Sequence, residues 1–496
     1  MNGFDFCPPE EEGLASEKIT EFIDFIKRTR INLHSFMLLR HGRVLAEAYY
    51  KPFDKDTKRR LYSSSKSVVS LAVGLAADNG LISLDAPMIS YFRGIGNPDP
   101  KMAAVTVKDV LTMTVPQWAT SYKRLPDEPG SSIVLDRGWT EAFFSSRFSL
   151  DKPAGRLFLY NSAASYVLCD LVRRVTGKGF LEYLRPVFDK IGVSEDIDCV
   201  LSPDGVEWGS SGVICTMRDF AKIGYLILEK GNYRGEQLIS RDYMEAATSK
   251  QIDTVFDCGA LPKNYGYGYQ IWIEPFGYGL HGLGSQFAFC FPDKDFLFVC
   301  NSNTENSAGY RQSELYEAAA RLYLSLKDGP IKPDGESRLA SALAGLEIDH
   351  SFGKARSSFE KKVGGRRFIL AANPMKISEF TLDFNGETGV FRYVRDGAEK
   401  SLPFGAGRYE DTFFPETHYY GKVITKPSGR RPRALVTGSW TSENRLLLVV
   451  DVCDTVIGGV GVVFEFYGDS VALKATAYGE DILGEYNGYA TGTIKE

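Results

Sequence analysis

Residues 61–80 read Leu-Tyr-Ser63-Ser64-Ser65-Lys66-Ser-Val68-Val69-Ser-Leu71-Ala72-Val73-Gly-Leu75-Ala76-Ala77-Asp-Asn-Gly80. The pattern predicts a helix over 65–79 that closes on Gly80, the residue type that most readily adopts the left-handed turn past a helix end. Apolar residues surround that helix nearly all round, which is the signature of a helix central to its body. Three residues along a helix advance the chain by ~4.5 Å and return to within about 60° of the starting direction. The Lys66 ammonium can therefore stand beside the Ser63 hydroxyl, at a helix N-terminus where the dipole favours negative charge. A serine hydroxyl is a poor nucleophile until a base takes its proton, and a desolvated lysine is such a base. The spacing alone carries little, because it recurs at Ser149/Lys152, Ser351/Lys354 and Ser358/Lys361. Serines before a helix are also commonly caps. Context separates the copy at 63–66: a charged lysine facing so apolar a helix is costly unless it has a partner or a task.

Outward from this helix, residues 10–325 alternate helix-period and strand-period stretches, the texture of a mixed α/β body. Ser35–Arg40 and Arg43–Tyr50 flank His41-Gly42 as an early hairpin, and helices are predicted over 162–176 and 217–230, closing on Gly177 and Gly231. Residues 326–338 are polar and rich in Pro and Gly, a linker pattern. Beyond it the stretches 377–384, 389–394, 445–451, 460–467 and 471–478 alternate as strands with no helix between them. Asn385-Gly386 reads as a type I′ hairpin. The expected organisation is a catalytic body over 1–325, a linker over 326–338, and an antiparallel β-barrel or sandwich domain over 339–496. Its aromatic residues, Phe391, Tyr393, Phe404, Tyr409, Phe413, Phe414, Tyr419 and Tyr420, are expected as its core, and a lid or buttress is its expected role.

The chain has 496 residues, of which 44 % are apolar and 24 % charged, so it is neither disordered nor fibrous. A formal charge of −5 gives no reason to expect a nucleic acid or an anionic membrane as partner. No stretch reaches the roughly 18 consecutive apolar residues of a membrane span. The opening Met1–Gly13 has no basic region followed by an apolar run, so a cytoplasmic location is expected. Eight cysteines with no C-x-x-C pair are expected as free, buried thiols. No metal or other cofactor is expected.

Ser63-x-x-Lys66, with the helix behind it and Asn79-Gly-Leu-Ile-Ser-Leu84-Asp85 after it, resembles the nucleophile segment of the β-lactamase-like serine hydrolases. That family includes class C β-lactamases, D-Ala-D-Ala peptidases, related carboxylesterases and 6-aminohexanoate-dimer hydrolases. The likeness covers roughly residues 10–325 and implies an antiparallel sheet flanked by helices with a helical subdomain. Val105–Thr114 is similar to the family's helix before its active-site loop, although His-Thr-Ser-Gly is absent. Trp208–Lys222 resembles its Gly-rich turn and Thr-x-x-Asp helix, and Tyr265–Trp272 looks like the strand before its third motif. The family's second motif, Tyr-x-Asn or Tyr-x-Ser, falls on Tyr160-Asn161-Ser162, with Tyr160 as a second acid or base and Ser162 among the substrate-binding candidates. A core tyrosine beside a capping serine is the plainer alternative for that stretch.

The third motif departs from the family pattern. In the best register, Gly279-Leu280-His281-Gly282-Leu283-Gly284-Ser285-Gln286, Leu280 stands where a lysine is usual and His281 is one place along. Gly282 keeps the backbone close, and the N–H of Leu283 joins that of Ser63 as an oxyanion hole, whose donors are each worth ~2.7–4 kcal/mol. His281 is either a substrate-binding side chain or a packed strand residue. The implied chemistry is acyl transfer to Ser63 from a small-molecule ester or amide, with Lys66 and Tyr160 moving protons. A β-lactamase or D-Ala-D-Ala carboxypeptidase and a catalytically idle scaffold with a ligand-binding β-domain are the other readings, and a homo-oligomer is left open.

Overall fold

The computed structural model describes residues 4–117, 137–145, 150–254, 265–306, 309–349, 352–416, 431–479 and 483–495. Trp118 and most of the 115–150 loop, Ser149, Ser351, Cys258, Tyr419 and Tyr420 lie outside these. The chain divides into two compact units. The first is made chiefly of Met1–Ser302 and Arg311–Leu346, and the second of Asn303–Tyr310, Glu347–Lys422 and Lys426–Glu496.

The first unit is built on a sheet of seven strands: β1 (Asp5–Phe6), β2 (Leu33–Arg40), β3 (Arg43–Tyr49), β4 (Trp272–Glu274), β5 (Gly277–Gly282), β6 (Gln286–Phe291) and β7 (Phe296–Ser302). Their order across the sheet is β1-β3-β2-β7-β6-β5-β4, antiparallel except for β1 beside β3. β2, β6 and β7 are buried along their whole length, as strands covered on both faces must be. Helix α1 (Ser16–Thr29) supplies one cover, where Phe22 meets Phe36 and Phe298 edge to face. Met217–Leu228 packs on the other face, and its Gly224 leaves room for Ala288 and Leu297.

Between β3 and β4 the chain makes the helical part. The predicted helix is Ser65–Asp78, and eleven of its residues are buried. Ser162–Thr176 matches its predicted span and ends on left-handed Gly177. Thr106 and Asp109 form a reciprocal capping box at Val107–Leu111, and Thr216 caps Met217–Leu228. The 326–338 stretch, read as a linker, lies within the first unit. Its end enters a helix, Glu336–Ala344, which packs near α1 with Leu339 buried.

Tyr265–Trp272 corrects its expected strand. Among the described residues only Tyr267 makes bridges here, to Ile252 and Trp272, before β4 begins at Trp272. Gly266 at φ 119° and Gln270 at φ 60° break extended geometry, and a Cβ on Gly268 would come 2.0 Å from the Ala247 carbonyl oxygen.

The second unit settles the choice between sandwich and barrel. Nine strands, β8 (Phe368–Leu370), β9 (Ile377–Asn385), β10 (Thr388–Arg395), β11 (Ala398–Ala406), β12 (Arg433–Ser442), β13 (Arg445–Val452), β14 (Gly458–Tyr467), β15 (Ser470–Gly479) and β16 (Gly488–Ile494), close into a barrel. Closure is by a parallel pairing of β11 with β12, an exception to the expected antiparallel pattern. Phe380, Phe391 and Phe464 fill the interior with ring centroids 5.1–5.8 Å apart. Phe413 departs from the aromatic-core expectation and is 56 % exposed. The β9–β10 turn also differs by one residue: Asn385 pairs with Thr388, which leaves Gly386-Glu387 as the loop. Positive φ occurs at Gly386 and not at Glu387, the pattern of a type II′ turn rather than type I′.

Among the described residues no helix is long and apolar enough to cross a membrane. The seven described cysteines are buried.

Candidate active site

The serines of the opening motif have separate fates. Ser64 Oγ donates to the Gln286 carbonyl at 2.7 Å, and Ser65 Oγ accepts from the Val213 N–H at 3.0 Å. Ser63 alone of the three is half-exposed, and its Oγ lies 2.9 Å from Lys66 Nζ. It sits in a single 3-10 turn, Tyr62–Ser64, that runs directly into the helix. Tyr62 takes φ 49°, a left-handed conformation that is strained for a residue with a Cβ. The Leu61 N–H bonds to the Val213 carbonyl at 2.8 Å and so pins the entry to this turn.

Lys66 is wholly enclosed, with 1 % exposure. Its Nζ also donates to the Ser210 carbonyl at 2.5 Å. Burial disfavours its charged form and lowers its pKa to about 7, with the Arg60 charge pushing the same way. Arg60 is held close by, 4.7 Å from the Tyr62 ring centroid and 4.9 Å from that of Trp208, with its Nε donating to the Ser211 carbonyl. Near neutrality, then, the charged and neutral forms of the amine beside Ser63 lie close in free energy.

Tyr160 joins this pair. Its ring centroid lies 5.0 Å from Lys66 Nζ, and it packs on Met113, Phe158 and Tyr267. The residue after it, Asn161, is the helix cap: its side chain accepts from the Ala163 and Ala164 N–H groups. The capping alternative thus falls on Asn161, and Ser162 is the first helical residue, half-buried.

The third stretch comes to the same place. A Cβ on Gly282 would stand 2.1 Å from the Leu61 carbonyl oxygen, so this glycine lets β5 touch the turn that carries Ser63. Leu283 follows at the tip of the β5–β6 hairpin, closed by the Ser285 N–H on the Gly282 carbonyl at 3.0 Å, with Gly284 and Ser285 both at positive φ. Among the described residues the Leu283 N–H makes no backbone hydrogen bond, while its carbonyl accepts from Gln286 Nε2. Leu280 is buried on the opposite side of the strand from His281. His281 stacks on Trp272, and its Nε2 lies 2.6 Å from Glu274 Oε1, close enough for an ion pair but out of line for a hydrogen bond.

Several contributors carry no sequence signal. The Ser210 carbonyl is backbone, visible in advance only as part of a Gly-Ser-Ser-Gly turn. Gln270 is 2 % exposed and ties three segments together. Its Nε2 donates to the Leu111 carbonyl, its Oε1 accepts from Ser165 and its carbonyl accepts from Ser67. Gln286 holds the hairpin tip through the carbonyls of Leu283 and Ser302. Trp272 stands in the sequence only as the last residue of an aromatic run, and irregular backbone precedes it in the fold.

Residues 22–323 match the family model described as Beta-lactamase. A 6-aminohexanoate-dimer hydrolase of Paenarthrobacter ureafaciens is 29 % identical over 277 residues, which span 49 % of this chain and 69 % of that protein. An uncharacterized protein of Alkalihalophilus pseudofirmus is 21 % identical over 44 % of this chain and 65 % of its own. Among solved structures, a penicillin-binding protein homologue from Caulobacter crescentus superposes with a TM-score of 0.50 at 19 % identity, covering 63 % of this chain and 99 % of that one.

Proposed function

Because the chain belongs to the beta-lactamase family of serine hydrolases, we propose that it cleaves an ester or amide through an acyl-enzyme on Ser63. The observation that carries this reading is the enclosed Lys66 amine, 2.9 Å from the Ser63 hydroxyl with its pKa lowered to about 7. The neutral amine takes the Ser63 proton as Oγ attacks the substrate carbonyl carbon. Negative charge gathers on the carbonyl oxygen, which the N–H groups of Ser63 and Leu283 receive. The C–O or C–N bond then breaks, and Tyr160, relayed by Lys66, returns the proton to the leaving group. Water enters by the same route in reverse and frees the acid.

Two features support an ester or another kind of amide over a β-lactam or D-Ala-D-Ala peptide. Leu280 supplies no cation where the resemblance puts a lysine to meet a substrate carboxylate. The name of the Paenarthrobacter relative is that of a hydrolase acting on a 6-aminohexanoate dimer. The idle-scaffold reading is not favoured, since a buried lysine beside a half-exposed serine costs stability that a scaffold has no reason to keep.

Hydrolysis of p-nitrophenyl butyrate by the natural sequence and by Ser63→Ala tests the proposal. Turnover lost in the variant is expected. Equal turnover in both overturns the assignment of Ser63.

A further inference from the structure

We infer that Trp272 is a positioning residue for Tyr160, an inference that rests on the acyl-transfer reading above. A phenol that moves protons must hold its oxygen within hydrogen-bond reach of two partners in turn, yet it turns freely about its side-chain bonds unless something flat lies against it. Tyr160 has such a neighbour. The Trp272 ring lies 5.5 Å from it, centroid to centroid, at an interplanar angle of 21°.

Trp272 is itself fixed. Phe158 and Tyr267 meet it edge on, at 5.7 Å and 4.9 Å, and His281 stacks on it at 5.8 Å and 23°. Glu274 lies behind His281, with 8 % exposure and its Oε1 2.6 Å from the imidazole. The cross-strand register explains the alignment. Trp272 pairs with Gly279, where a Cβ would stand 3.0 Å from His281 Nε2, so the missing side chain lets the imidazole, two residues along on the same face, lie over this position. The series Lys66, Tyr160, Trp272, His281, Glu274 thus runs unbroken from the proposed base to the sheet edge. On this account His281 acts behind Trp272 and not on the substrate.

Trp272 is partly exposed, so a direct substrate contact is the rival role, and the two separate kinetically. Loss of a substrate contact raises KM, most for the longer acyl chain, whereas a displaced Tyr160 slows the chemical step for every substrate. The test measures kcat and KM for p-nitrophenyl acetate and p-nitrophenyl butyrate with the natural sequence, S63A, Y160F, W272L, W272F and the double variant Y160F/W272L. W272L is expected to lose about 10-fold to 100-fold in kcat on both esters with little change in KM. W272F, which restores a flat ring, is expected to recover most of that loss. Y160F/W272L is expected to be no slower than Y160F, because two residues acting as one unit do not add. If W272L does not fold, W272Q carries the same comparison.

A kcat unchanged in W272L, a rise confined to KM, or full multiplication of the two losses in the double variant overturns the inference. Activity retained in S63A, or absent from the natural sequence, instead overturns the acyl-transfer reading and the inference with it. Ser63-dependent turnover that ignores W272L removes the inference alone.

Discussion

Lys66 shows how one residue's surroundings decide both reactivity and stability. In water its amine would hold its proton to a pH of about 10.4. Enclosure lowers that pKa to about 7, so kcat/KM is expected to rise with pH through about 7 and then level off, as the fraction of free amine grows. Lys66→Arg keeps the charge but cannot release the proton, and a loss of about 10²–10⁴-fold in kcat is expected. The sign for stability follows from the same shift. Between about pH 7 and 10.4 the unfolded chain carries a proton that the folded chain lacks, so stability attributable to this group rises with pH across that window. Lys66→Met removes the slope. Its melting temperature relative to the natural sequence should be most favourable near pH 6, and that advantage should shrink steadily above about pH 7, toward its loss near pH 10.4. A difference that is flat with pH would show that Lys66 titrates normally in the fold.

At the scale of elements, the site is a convergence of three segments on one helix start, and each is held by a buried polar tie or a close backbone approach. Gln270 joins Leu111, Ser165 and Ser67, so Gln270→Ala leaves buried donors and acceptors without partners. A loss of about 2–3 kcal/mol in denaturant unfolding is expected. Gly282→Ala drives a methyl toward the Leu61 carbonyl, 2.1 Å away, and pushes β5 off the Ser63 turn. The expected outcome is a fall in kcat by about 10²-fold or more, with the rest of the fold retained. The sequence made the nucleophile helix, the Tyr160 helix and the barrel hairpins legible because each carries its own period and its own stop, such as Gly177 at φ 72°. Tyr265–Trp272 departs from the expected strand because its alternating aromatics imitate one, while the backbone follows Gly268 against Ala247 and left-handed Gln270. Those constraints come from remote chain and leave no local pattern.

For the molecule as a whole, each compact unit has its own core, the sheet with its helices in one and the aromatic barrel interior in the other. The barrel adds a buried ionic cluster: Glu416 accepts from Lys400 at 3.0 Å and from Tyr486 at 2.7 Å, with Arg395 at 3.3 Å. Burial pushes the Glu416 carboxyl up, but the Tyr486 hydrogen bond and the two cations together hold it below its ordinary pKa. Phe464→Ala, made where Phe380 and Phe391 meet, should cost the barrel about 3–5 kcal/mol. Calorimetry is expected to show one of two transitions lowered, with Ser63-dependent turnover intact below it; a single transition moving as one would show that the units unfold together. The central claim concerns the first unit and is chemical: a covalent ester forms on Ser63. It is tested most directly by acid-quenching the reaction with p-nitrophenyl butyrate and weighing the intact chain and its peptides. A butyryl-sized mass gain on the peptide holding Ser63, absent from Ser63→Ala, is the predicted result. Turnover that leaves this peptide unmodified, with the gain on another residue, would contradict it.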